Sequence, residues 1–218
     1  MATGRKKSFD LKEACVRAAR EVIAEQGIEA LSMRDVARKL GISHQAPYRH
    51  FESRDHLLAE IMRRCFVDFA EHLDRGKSLD GPDGRQDDMG SAYLAYAEQK
   101  PLEYRLMFGT PWPEPAQHPE LVKYAVHAFD ILRNSQRARH GDGAAQRARA
   151  DLDALFIWST LHGMATIRQA NVMQHLVLAP EVMPRLEADL RHKIDAALEA
   201  LPKPARKPGP ARRKSVKR

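Results

Sequence analysis

The chain has 218 residues, of which 30% are charged and 43% hydrophobic, and it carries a formal net charge of +7. This length suffices for one large domain or two small ones with a buried core. No apolar run approaches the roughly 18 residues that suggest a membrane span, and no apolar segment follows the charged N-terminus MATGRKKSFD, so we expect a cytoplasmic protein without a secretory signal.

Apolar residues at three- and four-residue spacing predict helices along the N-terminal third of the chain. A first helix covers 10–26 and ends at Gly27, which suits a C-terminal cap. The next predicted helices are 33–40 with Ser32 as its N-cap, 44–50 with Ser43 as its N-cap, and a fourth from about Ser53 to about Arg75.

The remaining elements also read as helices. A loop at 76–84 is followed by helical spacing over 85–100, and Pro101 opens a short segment. Residues 110–119 hold too many prolines for a helix, and later helices are predicted at 119–139, about 144–173 and about 181–201. Because no alternating run is long enough for a strand, the predicted fold class is all-α.

Charge divides the chain into three parts. Residues 1–54 carry +4, residues 55–202 carry −5, and residues 203–218 carry eight Lys or Arg and no acid. A basic head on an acidic body indicates that the head meets a polyanion. We predict domains at 1–54 and 55–201, and a tail at 202–218 whose four prolines and scarcity of apolar residues favour disorder. Cys15 and Cys65, 50 positions apart, are interpreted as isolated buried thiols.

The stretch LSMRDVARKLGISHQAPYRHF, residues 31–51, predicts a helix-turn-helix in which glycine ends one helix and serine caps the next. Its polar second helix is too short to matter as packing but fits the major groove, which is about 12 Å wide. An ordinary helical corner with a solvated face is the alternative. Apolar residues can face the first helix and form a small core: Leu31, Val36, Ala37, Leu40, Ile42 and Phe51.

The segment from about residue 8 to 63 resembles the N-terminal DNA-binding domain of TetR-type transcriptional regulators. The family pattern is a leading helix ending in Gly, a second helix after Leu-Ser, and a recognition helix ending in Tyr-x-His-Phe. The matching residues are Gly27, Leu31, Ser32, Arg34, Val36, Ala37, Leu40, Gly41, Ile42, Ser43, Tyr48, His50 and Phe51.

The resemblance implies a role for each position. Arg34 would reach a base or a phosphate, and His44, Gln45 and Ala46 would face base edges. The residues implied to bind backbone phosphates are Ser43, Tyr48, Arg49, His50 and Arg54. Arg5, Lys6 and Lys7 either follow the minor groove or form a solvated terminus.

The same resemblance implies that the body is a ligand-binding and dimerisation domain. YRLMFGTPWP (104–113) and IWSTLHGMATI (157–167) resemble a subgroup with a Trp-x-x-x-His-Gly signature, here Trp158, His162 and Gly163. The expected effector is a small apolar or amphipathic molecule, and the Trp112 loop is the expected entrance to its pocket. The candidate pocket residues are Phe66, Tyr93, Tyr96, Met107, Phe108, Trp112, Phe129, Trp158 and His162.

In the family the last two long helices pair with those of a partner, which here implies a homodimer through about 144–173 and 181–201. A dimer also presents two recognition elements to two half-sites of double-stranded operator DNA. The expected apolar or small face comprises Leu152, Leu155, Phe156, Ser159, Gly163, Ala165, Thr166, Val182, Leu186, Leu190, Ile194, Ala197 and Leu198.

The resemblance favours a repressor that a small ligand releases from DNA. Two other functional classes compete with this interpretation. An enzyme is disfavoured because Ser159 and His162 follow no GxSxG elbow, and because no HExxH, GxGxxG or GxxxxGK[ST] motif occurs. No metal or cofactor is therefore expected. The other alternative is a nonspecific DNA-binding protein dominated by the basic tail. The residues identify neither the effector nor the operator, and they leave repression or activation open.

Overall fold

The computed structural model describes residues 10–78 and 87–200. In these ranges there are eight α-helices and no strand, which confirms the all-α prediction. The helices are α1 (Leu11–Gln26), α2 (Met33–Leu40), α3 (Arg54–Ser78), α4 (Asp87–Gln99), α5 (Pro101–Phe108), α6 (Pro119–His140), α7 (Ala144–Gln169) and α8 (Val182–Ala200). The predicted basic tail and the arm Arg5–Lys7 lie outside the described residues.

The first two helices begin and end at the residues expected from their sequence. The Ser32 hydroxyl accepts the amide of Asp35 at 3.1 Å, so Ser32 caps α2. Gly27 ends α1 with φ +88°, and Gly41 ends α2 in the left-handed region with φ +66°. These two turns need glycine because a Cβ makes positive φ unfavourable.

The predicted helix 44–50 is wrong as an α-helix. Residues Pro47–Arg49 form a 3-10 turn preceded by two turn residues. An α-helix here would need the residue-47 amide to bond the carbonyl of Ser43, but proline has no N–H. The Ser43 carbonyl instead accepts the Ala46 amide at 2.9 Å, so the chain takes the tighter i→i+3 pattern.

The predicted long helix from 144 to 173 is also shorter in the structure. α7 stops at Gln169, and Asn171–His175 forms a 3-10 segment. The amide of Ala170 lies 3.1 Å from the carbonyls of both Thr166 and Ile167, a shared bond that tightens the last turn. The other long helices agree with their predicted bounds within a few residues.

The described residues fall into two compact units. The first comprises Met1–Leu132 and Leu161–His175, so the predicted domain boundary after residue 54 lies inside it, at the start of α3. Of the core predicted for its helix-turn-helix, Leu40 and Ile42 are half-buried. The other members are fully buried, namely Leu31, Val36, Ala37 and Phe51.

Further along the first unit, Met89, Tyr93 and Tyr96 of α4 are all buried. Cys15 and Cys65 are buried free thiols, as predicted. Burial raises the pKa of both thiols, that of Cys65 to about 12, so neither is a reactive thiolate near neutral pH.

The second unit, Arg133–Thr160 with Leu176–Arg218, contains the end of α6, most of α7 and all of α8. Asp153 is buried and bonds the His140 ring at 2.7 Å and the Arg149 guanidinium at 3.0 Å. Arg149 also donates to the carbonyl of Leu198 at 3.3 Å. A carboxylate on α7 is therefore bonded to α6 directly, and Arg149 links the same part of α7 to α8.

Candidate nucleic-acid interface and aromatic cluster

The residues from Ser43 to His50 place a polar surface on one side of a small apolar anchor. Pro47 and Phe51 are buried, and Ala46 is half-buried. The remaining side chains of the segment are exposed, namely Ser43, His44, Gln45, Tyr48, Arg49 and His50. This alternation follows from the tight turns, which turn Pro47 inward while Tyr48 remains 47% exposed.

Four of the predicted DNA-contacting side chains line one concavity of about 260 Å³: Arg34, His44, Gln45 and Tyr48. Arg34 comes from the first turn of α2, and the other three come from the turn segment. The structure therefore brings together one guanidinium, one imidazole, one amide and one phenol. These groups are the donors and acceptors that read base edges and bind phosphate oxygens in DNA grooves.

Arg34 and Arg49 on this surface differ from the neighbouring cations Arg38 and Lys39 in their ion pairing. Lys39 lies 2.8 Å from Glu25, and Arg38 pairs with Asp35. Within residues 10–78 and 87–200, neither Arg34 nor Arg49 has a carboxylate within ion-pair distance. Unpaired guanidinium groups are available to neutralise phosphates, whereas paired ones must first give up their partner.

Arg54 is used within the chain. Its Nε and Nη2 donate to the carbonyls of Leu31 and Ile28, both at 2.9 Å, and Nη1 lies 3.2 Å from Asp55. The guanidinium therefore ties the first residue of α3 to the turn that precedes α2. The phosphate contact implied for Arg54 stays a prediction, and it depends on the N–H donors that remain.

The predicted pocket residues converge on an aromatic cluster of the first unit. Phe66 stacks edge-on against Phe108 and Trp112, with ring centroids 5.8 and 5.5 Å apart. His162 lies over Tyr104 at 5.8 Å. The rings of this cluster are Phe66, Phe69, Tyr93, Tyr96, Tyr104, Phe108, Trp112 and His162.

Three polar atoms meet inside the cluster. The Tyr104 hydroxyl lies 2.7 Å from His162 Nδ1 and 3.0 Å from the Tyr93 hydroxyl, which is 3.3 Å from the same nitrogen. Burial raises the pKa of Tyr104 to about 12 and lowers the pKa of His162. Both groups are therefore neutral near pH 7, so the cluster offers hydrogen bonds without charge.

The other predicted pocket residues lie on α5, α6 and α7. Met107 is buried on α5, and the Trp112 indole donates to its carbonyl at 3.0 Å. Phe129 is half-buried on α6, and Trp158 is half-buried in the second unit. Sequence reasoning missed Phe69 and Tyr104, although Tyr104 lies four residues before Phe108 on a helix opened by Pro101, a spacing that places both on one face.

Other site types find no support in residues 10–78 and 87–200. No group of three or more His, Cys, Asp or Glu side chains there is placed to hold a metal ion. In the same ranges, every helix is too short or too polar to cross a bilayer.

Comparison with known proteins shows the family to which the chain is related. Residues 16–61 match the family model described as bacterial regulatory proteins of the tetR family, and residues 87–190 match a tetracyclin repressor-like C-terminal domain. Together the two matches span more than two thirds of the chain. The chain belongs to the TetR family. The family and the curated relatives that match are transcriptional regulators, not enzymes.

Individual relatives of this TetR family protein agree with the assignment. It is 32% identical over 101 residues to the HTH-type transcriptional regulator Rv1816 of Mycobacterium tuberculosis, an alignment covering 45% of this chain and 43% of the relative. The chain thus aligns with less than half the length of the curated relatives it matches.

Solved structures share the fold over nearly the whole chain. A protein of unknown function from Rhodococcus sp. RHA1 is 24% identical with a TM-score of 0.67, covering 90% of this chain and 99% of that one. A transcriptional regulator from Rhodococcus sp. Rha1 is 23% identical with a TM-score of 0.60, covering 87% and 97%.

Proposed function

We propose that this TetR family protein is a sequence-specific DNA-binding regulator that represses transcription until a small molecule releases it. The observation that carries the proposal is the concavity formed by Arg34, His44, Gln45 and Tyr48, whose side chains are exposed. Gln45 can bond adenine through two hydrogen bonds, and Arg34 can bond guanine or phosphate. Ser43, Ala46, Arg49 and His50 extend the same surface.

The proposed regulator acts as a homodimer because one short turn segment contacts too few bases for specificity. The second unit supplies an apolar face: Leu152 is 65% exposed, and Leu155, Phe156, Val182 and Met183 are also exposed. Side chains of this size are costly to leave in water, at about 25 cal/mol for each Å². Ala165, Ile194 and Leu198, also assigned to this face, are instead buried within the chain.

The proposed effector site is the aromatic cluster around Tyr93, Tyr104 and His162. Its rings favour an apolar or aromatic molecule, and its three polar atoms favour one uncharged hydrogen-bonding group on that molecule. Phe108 and Trp112 are half-exposed, which fits the Trp112 loop as the entrance. A ligand that binds one arrangement of the DNA-binding regions more tightly shifts the population toward it.

A finer placement within the family forms part of the proposal. Trp158, His162 and Gly163 retain the Trp-x-x-x-His-Gly spacing of one TetR subgroup. His162 bonds the Tyr104 hydroxyl, so the signature histidine has a polar partner that orients its ring. This supports a role for the signature at the effector site.

Selection of bound DNA from a randomised duplex pool tests the proposal. The full chain is incubated with the pool, and the retained duplexes are sequenced. We expect an approximate palindrome whose half-sites are about one helical turn, or 34 Å, apart. A retained pool without any consensus would reject sequence-specific regulation and favour the nonspecific DNA-binding alternative.

A further inference from the structure

A histidine pair joins the two regions matched by the separate family models. His56 lies in the first turn of α3, within the region matched as DNA-binding, and His118 immediately precedes α6 in the C-terminal region. Their rings meet edge to face with centroids 4.8 Å apart. His118 is 8% exposed, although histidines on a surface loop are usually solvated.

The position of His56 connects this pair to the proposed DNA surface. The Ser53 hydroxyl accepts the His56 amide at 3.2 Å, capping α3, and also lies 3.0 Å from His56 Nδ1. Arg54, the residue after Ser53, donates hydrogen bonds to the carbonyls of Leu31 and Ile28, which precede α2. A displacement of the first turn of α3 is therefore transmitted to the helix-turn-helix through direct hydrogen bonds.

We propose that the His56–His118 contact is a pH-sensitive latch that fixes the DNA-binding region against the start of α6 and opens in mild acid. The inference rests on the proposed function, because it regulates operator binding. When both imidazoles are neutral, they pack edge to face without repulsion. When both are protonated, two like charges meet at a partly buried site, which favours separation.

The groups around the pair do not remove this repulsion. On the α3 side, Glu52 lies 3.6 Å from His56 Nε2 but is 87% exposed, so its attraction is weakened by solvent. Asp55 acts on His118 more weakly than burial and the neighbouring His56 do. On the α6 side, Glu120 and Lys123 lie within ion-pair distance of each other at 3.3 Å.

The sign of the pH effect follows from His118. Burial, and then the proximity of His56, lowers the pKa of His118 below its ordinary value of 6.5. The open form therefore binds the proton more tightly than the closed form. The closed latch is fully favoured above about pH 6.5 and loses stability as the pH falls below it.

Two other contacts link α1 and α3 to α5 and α6. Arg20 of α1 pairs with Glu103 of α5, and the Arg63 guanidinium lies 5.2 Å from the Tyr124 ring centroid. A loosened DNA-binding region must be ordered again when it binds, so operator affinity should fall.

Hydrogen exchange of the full chain at about pH 7.5 and about pH 5.5 tests the latch without DNA. After correction for intrinsic exchange, the first turns of α3 and α6 should lose protection at the lower pH. His118→Gln and His56→Gln should each abolish that pH response. The matched control His127→Gln, an exposed histidine of α6, should retain it. An identical pH response in wild type and both latch variants would overturn the proposal.

Operator affinity, measured with the duplex selected above, tests the regulatory consequence. Between about pH 7.5 and about pH 5.5, the operator affinity of wild type and of His127→Gln should fall at least about threefold more than that of His118→Gln. His44 and His50 are present in every variant, so the comparison between variants cancels any contribution that they make. If the variants differ from wild type in the pH response of hydrogen exchange but not in the pH response of operator affinity, the regulatory role is rejected. If no duplex is selected, the proposed function fails, and the exchange result alone decides whether the latch exists.

Discussion

At the scale of single residues, Gln45 and Tyr48 line the same concavity but have different chemistry toward DNA. An amide can match the paired donor and acceptor of adenine, whereas a phenol hydroxyl makes one bond to a phosphate as readily as to a base. Removing the Gln45 amide should therefore weaken binding to some DNA sequences more than to others, whereas removing the Tyr48 hydroxyl should weaken binding to all of them.

We expect Gln45→Ala to relax preference at one or two operator positions by about 1–3 kcal/mol each. Tyr48→Phe, the matched control, should weaken binding to all sequences by a similar factor. Equilibrium binding to the operator and its single-base variants measures both effects. A uniform loss for Gln45→Ala would make Gln45 a phosphate contact and contradict the assignment.

Tyr104 offers a second test at this scale, on the aromatic cluster. Tyr104→Phe removes the hydroxyl that lies 2.7 Å from His162 Nδ1, and the Tyr93 hydroxyl at 3.3 Å is a poorer substitute. Leaving buried polar groups without a full partner should lower the free energy of unfolding by about 1–3 kcal/mol. Denaturant unfolding measures this change.

Tyr124→Phe is the control for that experiment. Tyr124 is half-buried and packs beside Arg63, and its hydroxyl makes no hydrogen bond with residues 10–78 or 87–200. Its loss should leave the stability nearly unchanged. Equal effects of the two substitutions would show that the Tyr104 hydrogen bonds contribute nothing specific.

At the scale of elements, the sequence predicted those helix ends where one residue decides the geometry. Ser32, Gly27 and Gly41 each act through their own backbone or hydroxyl, and the structure confirms their bounds. The helix 44–50 was not correctly predicted, because the missing amide of Pro47 changed the bonding pattern of the whole segment. The aromatic cluster was only partly predictable, since Tyr104 and His162 are 58 positions apart and meet through tertiary packing.

The exposed apolar face on α7 and α8 gives the prediction that belongs to this scale. Leu152→Arg and Phe156→Arg should each yield monomers, because a buried unpaired charge opposes association. Helix content should be unchanged, since both side chains are exposed in the single chain. Sedimentation and circular dichroism measure the two properties.

Val126→Arg is the matched control for the dimer. Val126 on α6 is 48% exposed, comparable with Phe156 at 43%, but it lies outside the proposed face. It should remain dimeric. If Leu152→Arg and Phe156→Arg also sediment as dimers, then the proposed face is not the interface.

At the scale of the whole molecule, the basic segment 203–218 remains a prediction from sequence, since it lies outside the described residues. Its sixteen residues carry eight Lys or Arg and could span up to about 50 Å if extended. Each phosphate that it neutralises should add about 0.9 to the magnitude of the logarithmic salt slope. Contact with flanking DNA would raise affinity for every sequence alike.

Deletion of Lys203–Arg218 should therefore flatten the salt dependence of DNA binding. It should also lower the affinity for operator and for random DNA by similar factors. A variant of full length with these Lys and Arg residues changed to Gln separates charge from length, and it should behave like the deletion. Titrations at several salt concentrations measure the slopes. Unchanged slopes in both variants would leave the segment as a solubilising extension.

If the concavity of Arg34, His44, Gln45 and Tyr48 reads DNA sequence, the protein must bind its operator more tightly than other DNA, and one ratio of affinities measures this preference. The full chain is titrated at one salt concentration with the selected duplex and with a scrambled duplex of equal composition and length. We expect roughly a thousandfold or greater preference for the selected duplex. Affinities within about threefold of each other would show that phosphate attraction alone holds the DNA, and would contradict base readout by the concavity.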